Sequence, residues 1–148
     1  MSELPLAGAV VLDLSDECLS LSGRLLADLG AEVVRVEGLG GDPLRSSGPH
    51  LRGRSDVESG LRHLLYNAGK RSLAIDREAP VARELLDRAL AECHLVIAPL
   101  DKSPAVRRLL DSDRLRRIHP QLGLVDVVFK RGREEVAPSD LTAVAAGG

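Results

Sequence analysis

The stretch "AVVLDLS", Ala9–Ser15, followed by "LSGRLLADLGAEVVRVE", Leu21–Glu37, decides the fold. The first is a β-branched apolar run of strand length. The second opens with helical spacing, Leu21, Leu25, Leu26 and Leu29 falling on one helical face, and closes on another such run, Val33, Val34 and Val36. Gly30 suits the position just past the helix end, where a left-handed residue stops the chain from continuing. Strand, helix and strand joined this closely favour a right-handed crossover and a parallel pair.

The same alternation continues downstream. "SGLRHLLYNA", Ser59–Ala68, forms a helix expected to bury Leu61, Leu64 and Leu65, and "SLAID", Ser72–Asp76, is a third strand. "APVARELLDRALAE" is helical with Pro80 near its start, "HLVIAP" is a fourth strand closed by Pro99, and "SPAVRRLLDSDRLRRIHP" gives one or two short helices ending at Pro120. "LGLVDVVF", Leu122–Phe129, is a fifth strand, and a last helix begins at Ser139 or Asp140. This order predicts an α/β fold of three layers, Rossmann-like, with a mainly parallel sheet of about five strands and helices on both faces. Gly38 to about Ser59, rich in Gly, Pro, Ser and Arg, reads as a long surface loop.

Composition narrows the function classes. The 148 residues are 44% hydrophobic and 28% charged, which excludes a disordered tail, and the longest apolar runs are too short to cross a membrane. A net charge of −2 with scattered arginines argues against nucleic acid, and Tyr66 and Phe129 alone cannot form a base-stacking platform. Cys18 and Cys93 fit no zinc spacing and read as two reduced thiols of a cytosolic protein. The N-terminus lacks the basic region of a signal peptide, so a cytoplasmic location is expected.

In an open parallel sheet, ligands collect beyond the C-terminal ends of the strands. After the first strand stand Asp13, Ser15, Asp16 and Glu17, which repel phosphate, and no GxGxxG is present there. "GLGG", Gly38–Gly41, lacks the Lys-Ser/Thr of a phosphate loop. Lys70 and Arg71 precede the third strand, at the opposite end from the usual crevice, and read as a solvated polar turn. His50, His63, His94 and His119 read as surface or helix-end residues, so no metal is predicted. Asp76 and Asp101 follow strands and suit helix caps.

"LPLAGAVVLDLS", "RLLADLGAEVVRVEGLGGDPLR", "NAGKRSLAID" (Asn67–Asp76) and the "HP" before the fifth strand together resemble the N-terminal part of the class III CoA-transferases and alpha-methylacyl-CoA racemases, the CaiB/BaiF type. The resemblance implies a Rossmann-like large domain, here residues 1–148 as a single unit that is incomplete relative to the family, whose chains carry a smaller domain and interlock in pairs. It implies cofactor contacts at Lys70, Arg71, Ile75 and Arg77, with Arg77 compensating for Glu78, which stands where relatives carry a lysine.

Departures from the family pattern bear on activity. "DECLSLS", Asp16–Ser22, replaces a small neutral loop, Gly38 stands in place of a CoA-contacting arginine, and "APLDKS" and "FKRGREEVAP" replace two further motifs. Ser139 stands where racemases carry their histidine, Asp140 where they carry the neighbouring aspartate, and the aspartate nucleophile of the transferases falls beyond Gly148. The resemblance therefore implies a protein that is catalytically incomplete by itself, binding CoA or acyl-CoA as a ligand rather than a tightly bound cofactor, or acting as an assembly module. The expected assembly is a homodimer or a hetero-oligomer with a CoA-transferase-like chain, because apolar surface left by the missing portions needs cover. Two alternatives stand beside this reading: one component of a split CoA-transferase or acyl-CoA racemase completed by a second chain, and an unrelated nucleotide-binding α/β module.

Overall fold

The computed structural model describes residues 4–54, 56–99, 104–125, 130–131 and 134–135. Five strands form one sheet, all pairs parallel: β1 (Val10–Asp13), β2 (Glu32–Glu37), β3 (Arg71–Ala74), β4 (Leu95–Ile97) and β5 (Gly123–Val125), in the order β3-β2-β1-β4-β5. The helices between them are α1 (Ser20–Asp28), α2 (Leu61–Tyr66), α3 (Ala82–Ala91), α4 (Pro104–Leu109) and α5 (Ser112–Ile118). The α/β reading of the sequence is correct. A two-residue hairpin pair, β6 (Lys130–Arg131) with β7 (Glu134–Glu135), lies outside the sheet. Asp101, Ser139 and Asp140, together with the second half of the expected fifth strand, lie outside the described residues.

Alternation along the strands divides the core. Leu12, Val36 and Val96 point to one face and pack with Leu86 and Leu90 of α3 and with Val106, Leu110 and Leu115 from the α4–α5 region. Val11, Val33 and Ile97 point to the other, against Leu26 and Ala27 of α1. A fully buried aliphatic side chain contributes about 1.5–3 kcal/mol, so these two layers supply most of the driving force. The α3–α5 side is further tied by Arg114, which donates to both carboxylate oxygens of Asp87 at 2.8 and 2.6 Å.

Helix α1 ends as its sequence requires. Gly30 takes φ +102, its N–H donates to the Ala27 carbonyl at 2.9 Å, and the Ala31 N–H donates to Leu26 at 3.0 Å, which is the Schellman arrangement. Its orientation, however, departs from expectation, because of the four leucines only Leu26 packs against the sheet. Ser20 and Gly23 are buried against the sheet, whereas Leu21, Leu25 and Leu29 are 44, 54 and 46% exposed. In α2 the buried residue is His63, and Leu61, Leu64 and Leu65 face outward. The reason lies beneath α1: a side chain at Gly23 would overlap the Asp13 carboxylate and the end of Lys70, so only small residues fit on that face.

The loop from Gly38 to Ser59 is more ordered than its composition suggests. It contains 3-10 turns at Pro43–Arg45 and Leu51–Gly53 and buries Asp42, Leu44 and Ser59. Asp42 accepts from the Leu44 N–H at 2.9 Å and so caps the first of these turns. Asp76 accepts from the Glu78 N–H at 3.1 Å; it closes a turn there, while α3 starts only at Ala82.

Candidate functional site

A cavity of about 520 Å³ opens at the C-terminal ends of the strands, beside the point where the strand order reverses between β1 and β4. Small-molecule sites in such sheets sit in this crevice and measure roughly 300–1,000 Å³. Leu14 to Glu17 after β1 form one wall, and the Gly38–Leu44 segment after β2 contributes another. Arg77 after β3 and Pro99 after β4 complete the rim.

The walls are held by ionised groups that the strands bring together on one face. Arg35 of β2 is level with Asp13 of β1 and with Ser72 of β3. Its guanidinium donates to Asp13 Oδ1 at 3.1 Å, to Ser15 Oγ at 2.8 Å and to Asp42 Oδ2 at 2.5 Å, and all three groups are buried. Two residues on, Glu37 accepts from Arg45 at 2.7 and 2.8 Å, from Ser72 Oγ at 2.8 Å and from the Asp42 N–H at 2.7 Å. The Arg45 guanidinium beside it holds the Glu37 carboxyl down at a pKa of about 2. Arg35 and Arg45 therefore clamp the loop after β2 as a fixed wall. Glu37, an anion this strongly stabilised, is a poor base and nucleophile.

Lys70 joins the same network. Its Nζ donates to Asp13 Oδ2 at 2.7 Å, to the Ser20 carbonyl at 2.6 Å and to Asn67 Oδ1 at 2.8 Å, and its side chain is 1% exposed. The solvated-turn reading of Lys70 is thus corrected: β3 is staggered so that Arg71 is level with Val34 and Leu12, and the lysine runs beneath α1 to the sheet centre. Burial pushes its ammonium below the usual lysine range, and the adjacent Asp13 partly offsets this.

The four residues expected to face a cofactor are dispersed. Lys70 has all three ammonium protons committed, Arg71 is exposed and pairs with Glu32, and Ile75 is buried in the core. Only Arg77 reaches the cavity. Its Nη2 donates to the Val36 carbonyl at 3.3 Å, and its Nε is buried with no hydrogen-bond partner. Burial pushes its pKa below the usual arginine value, with Arg35 acting in the same direction. Among the described residues no carboxylate pairs with it. A half-buried guanidinium that lines the cavity without a carboxylate partner is the site's clearest capacity for an anion.

Asp13, Arg35 and Asp42 escaped sequence reasoning as a group, although a signal exists. A central parallel strand is buried on both faces and reads as nearly continuous apolar residues. Arg35 and Glu37, alternating within "EVVRVE", break that rule and require buried partners. His63 also departs from expectation: it is buried, its Nδ1 lies 3.2 Å from Asn67 Nδ2, and burial pushes its pKa down.

The sequence model of CoA-transferase family III matches residues 6–129. The chain belongs to CoA-transferase family III. Among its curated relatives, succinyl-CoA:(R)-benzylsuccinate CoA-transferase subunit BbsE of Thauera aromatica is 38% identical over 87 residues, covering 59% of this chain and 21% of BbsE. Cinnamoyl-CoA:phenyllactate CoA-transferase of Clostridium sporogenes is 28% identical over 130 residues, covering 86% of this chain and 32% of that protein. A solved CaiB/BaiF family protein from Brucella suis superposes with a TM-score of 0.80 at 30% identity, over 99% of this chain and 40% of its own. The chain spans a third or less of the length of these two curated relatives. The family match replaces the alternative of an unrelated nucleotide-binding module. Among the described residues no helix is long and apolar enough to cross a membrane, and no cluster of His, Cys, Asp or Glu could hold a metal ion.

Proposed function

We propose that this chain is a CoA- or acyl-CoA-binding component of the family III type that does not complete acyl transfer by itself. The observation that carries this is Arg77, a half-buried guanidinium that lines the crevice and pairs with no carboxylate among the described residues. A phosphate or carboxylate of the ligand would pair with that guanidinium. On the described walls, Asp42 and Glu37 are engaged by guanidinia, and neither suits a nucleophile that must attack a thioester. The proposal is tested by calorimetry with CoA and acetyl-CoA. Saturable binding without turnover, weakened at least about tenfold in Arg77→Ala by loss of a charge-assisted contact, supports it. No heat of binding at millimolar ligand, or binding indifferent to Arg77, refutes it.

The second reading is that a companion chain completes a split CoA-transferase or racemase. It is favoured by the description of the relative BbsE as a subunit. Cytoplasmic location, the oligomeric state and loss of catalysis belong to the same proposal. Transferase activity from this chain purified alone would overturn it.

A further inference from the structure

The two walls of the crevice are joined behind it by a charge pair that takes no part in lining it. Ser15 after β1, Arg35 of β2 and Asp42 after β2 all line the cavity, whereas Asp13 and Lys70 do not. Asp13 divides its carboxylate between two directions. Its Oδ1 accepts from the Ser15 N–H at 2.9 Å and from the Arg35 guanidinium at 3.1 Å, and its Oδ2 accepts from Lys70 at 2.7 Å. Arg35 in turn donates to Ser15 Oγ and to Asp42, so the wall after β1 is tied to the wall after β2 through these side chains. The other ammonium protons of Lys70 go to the Ser20 carbonyl and Asn67 Oδ1, which aims the third at Asp13.

Formal charge explains why a lysine stands at position 70. Asp13 and Asp42 both lie against Arg35, which alone would leave two carboxylates on one guanidinium, and Lys70 makes the count even. Glu37 takes no share in this, because Arg45 is its own partner. All four side chains of the quartet are buried, where an uncompensated charge is costly. Without the lysine, Asp13 and Asp42 compete for Arg35, and one wall is released. Apolar residues of the same volume would serve cohesion as well. What they would not supply is directed contacts to both walls.

We infer that the Lys70–Asp13 pair is the positioning element of the crevice, holding the wall of residues 14–17 against the wall of residues 42–44 without touching the ligand. Lys70 acts through Asp13, and Asp13 acts through Ser15 and Arg35. The pair thereby sets how much ordering a ligand has to impose, and hence its affinity. The effect on affinity rests on the reading of this crevice as a CoA site, whereas the holding of the walls does not.

The wild-type chain is compared with Lys70→Met, with Lys70→Met/Asp13→Asn and with Arg114→Met, which breaks an ion pair on the α3–α5 side. Amide hydrogen exchange is followed peptide by peptide by mass spectrometry, and CoA binding by calorimetry. Lys70→Met should speed exchange several-fold at residues 14–17 and 42–44, beyond any change in β4, and weaken CoA binding at least about threefold. The double variant leaves no uncompensated charge and should recover stability in urea. It should recover neither wall protection nor affinity, because an amide holds Arg35 by a neutral hydrogen bond instead of a charge-assisted one. Arg114→Met should lower stability with no selective change at the walls. If Lys70→Met does not fold, the double variant decides. Exchange that rises uniformly along the chain in Lys70→Met, or walls that recover together with stability in the double variant, overturns the inference. A wild-type chain that takes up no CoA overturns the CoA reading instead, and the exchange pattern alone then decides what the pair does.

Discussion

Lys70 Nζ lies 2.7 Å from Asp13 Oδ2, a contact between residues 57 positions apart that passes beneath α1. Both side chains are essentially excluded from water. A buried ion pair adds little over an apolar pair of the same volume, but removing one member leaves an uncompensated charge. Lys70→Met should therefore lower unfolding free energy by about 3–5 kcal/mol in urea titration. The double variant Lys70→Met/Asp13→Asn should lose less than the sum of the two single changes, because the partners are in direct contact. Strict additivity would show that the pair is not coupled.

Gly23→Ala tests why α1 faces as it does. In an exposed helix position this change stabilises by up to about 1 kcal/mol. Here the added methyl would lie within 3.0 Å of Lys70 Nζ and overlap the Asp13 carboxylate. Overpacking of this kind costs about 1–3 kcal/mol, so the net effect should be destabilising. A raised melting temperature would mean that α1 sits farther from the sheet.

Glu37 gives stability a defined acid limit. Its carboxyl has a pKa of about 2 in the folded protein against 4.5 ordinarily, because Arg45 and Ser72 hydrogen-bond the ionised form. The folded state therefore binds this proton less readily than the unfolded state. The contribution is complete above pH 4.5 and disappears as pH falls toward 2, amounting at most to about 3 kcal/mol. Glu37→Gln should flatten the decline of stability over that window, as measured by urea midpoints at successive pH values. An unchanged slope would exclude Glu37 as its source.

Arg77→Met separates a ligand contact from a structural one. The Arg77 Nε has no partner, and burial works against its charge. Replacing it by an apolar side chain of similar length should leave the melting temperature unchanged or raise it, in contrast to the loss expected for Lys70. A fall of several degrees would show that Arg77 supports the fold instead of being held ready for an anion.

What was legible in the chain was local. The alternating strand and helix patterns, the Gly30 stop signal and the parallel α/β class depend on neighbours a few residues away, and the Schellman bonds at Ala27 and Leu26 follow from them. The family was legible too, because "LLADLGAEVVRVEGLGGDPLR" and "NAGKRSLAID" are contiguous motifs. The site was legible only in part. Arg77 was singled out and lines the cavity, but Lys70, Arg71 and Ile75 stood beside it in the sequence and diverge in space.

The sequence by itself determined which segments become strands and helices and that the sheet is parallel, since periodicity and turn chemistry act within each segment. Only the tertiary structure decided that Lys70 belongs to the interior and Leu21, Leu25 and Leu29 to the surface. That outcome turns on register: once β3 is staggered against β2, the lysine meets Asp13 under Gly23, and the space α1 would have used for leucines is filled by an ion pair.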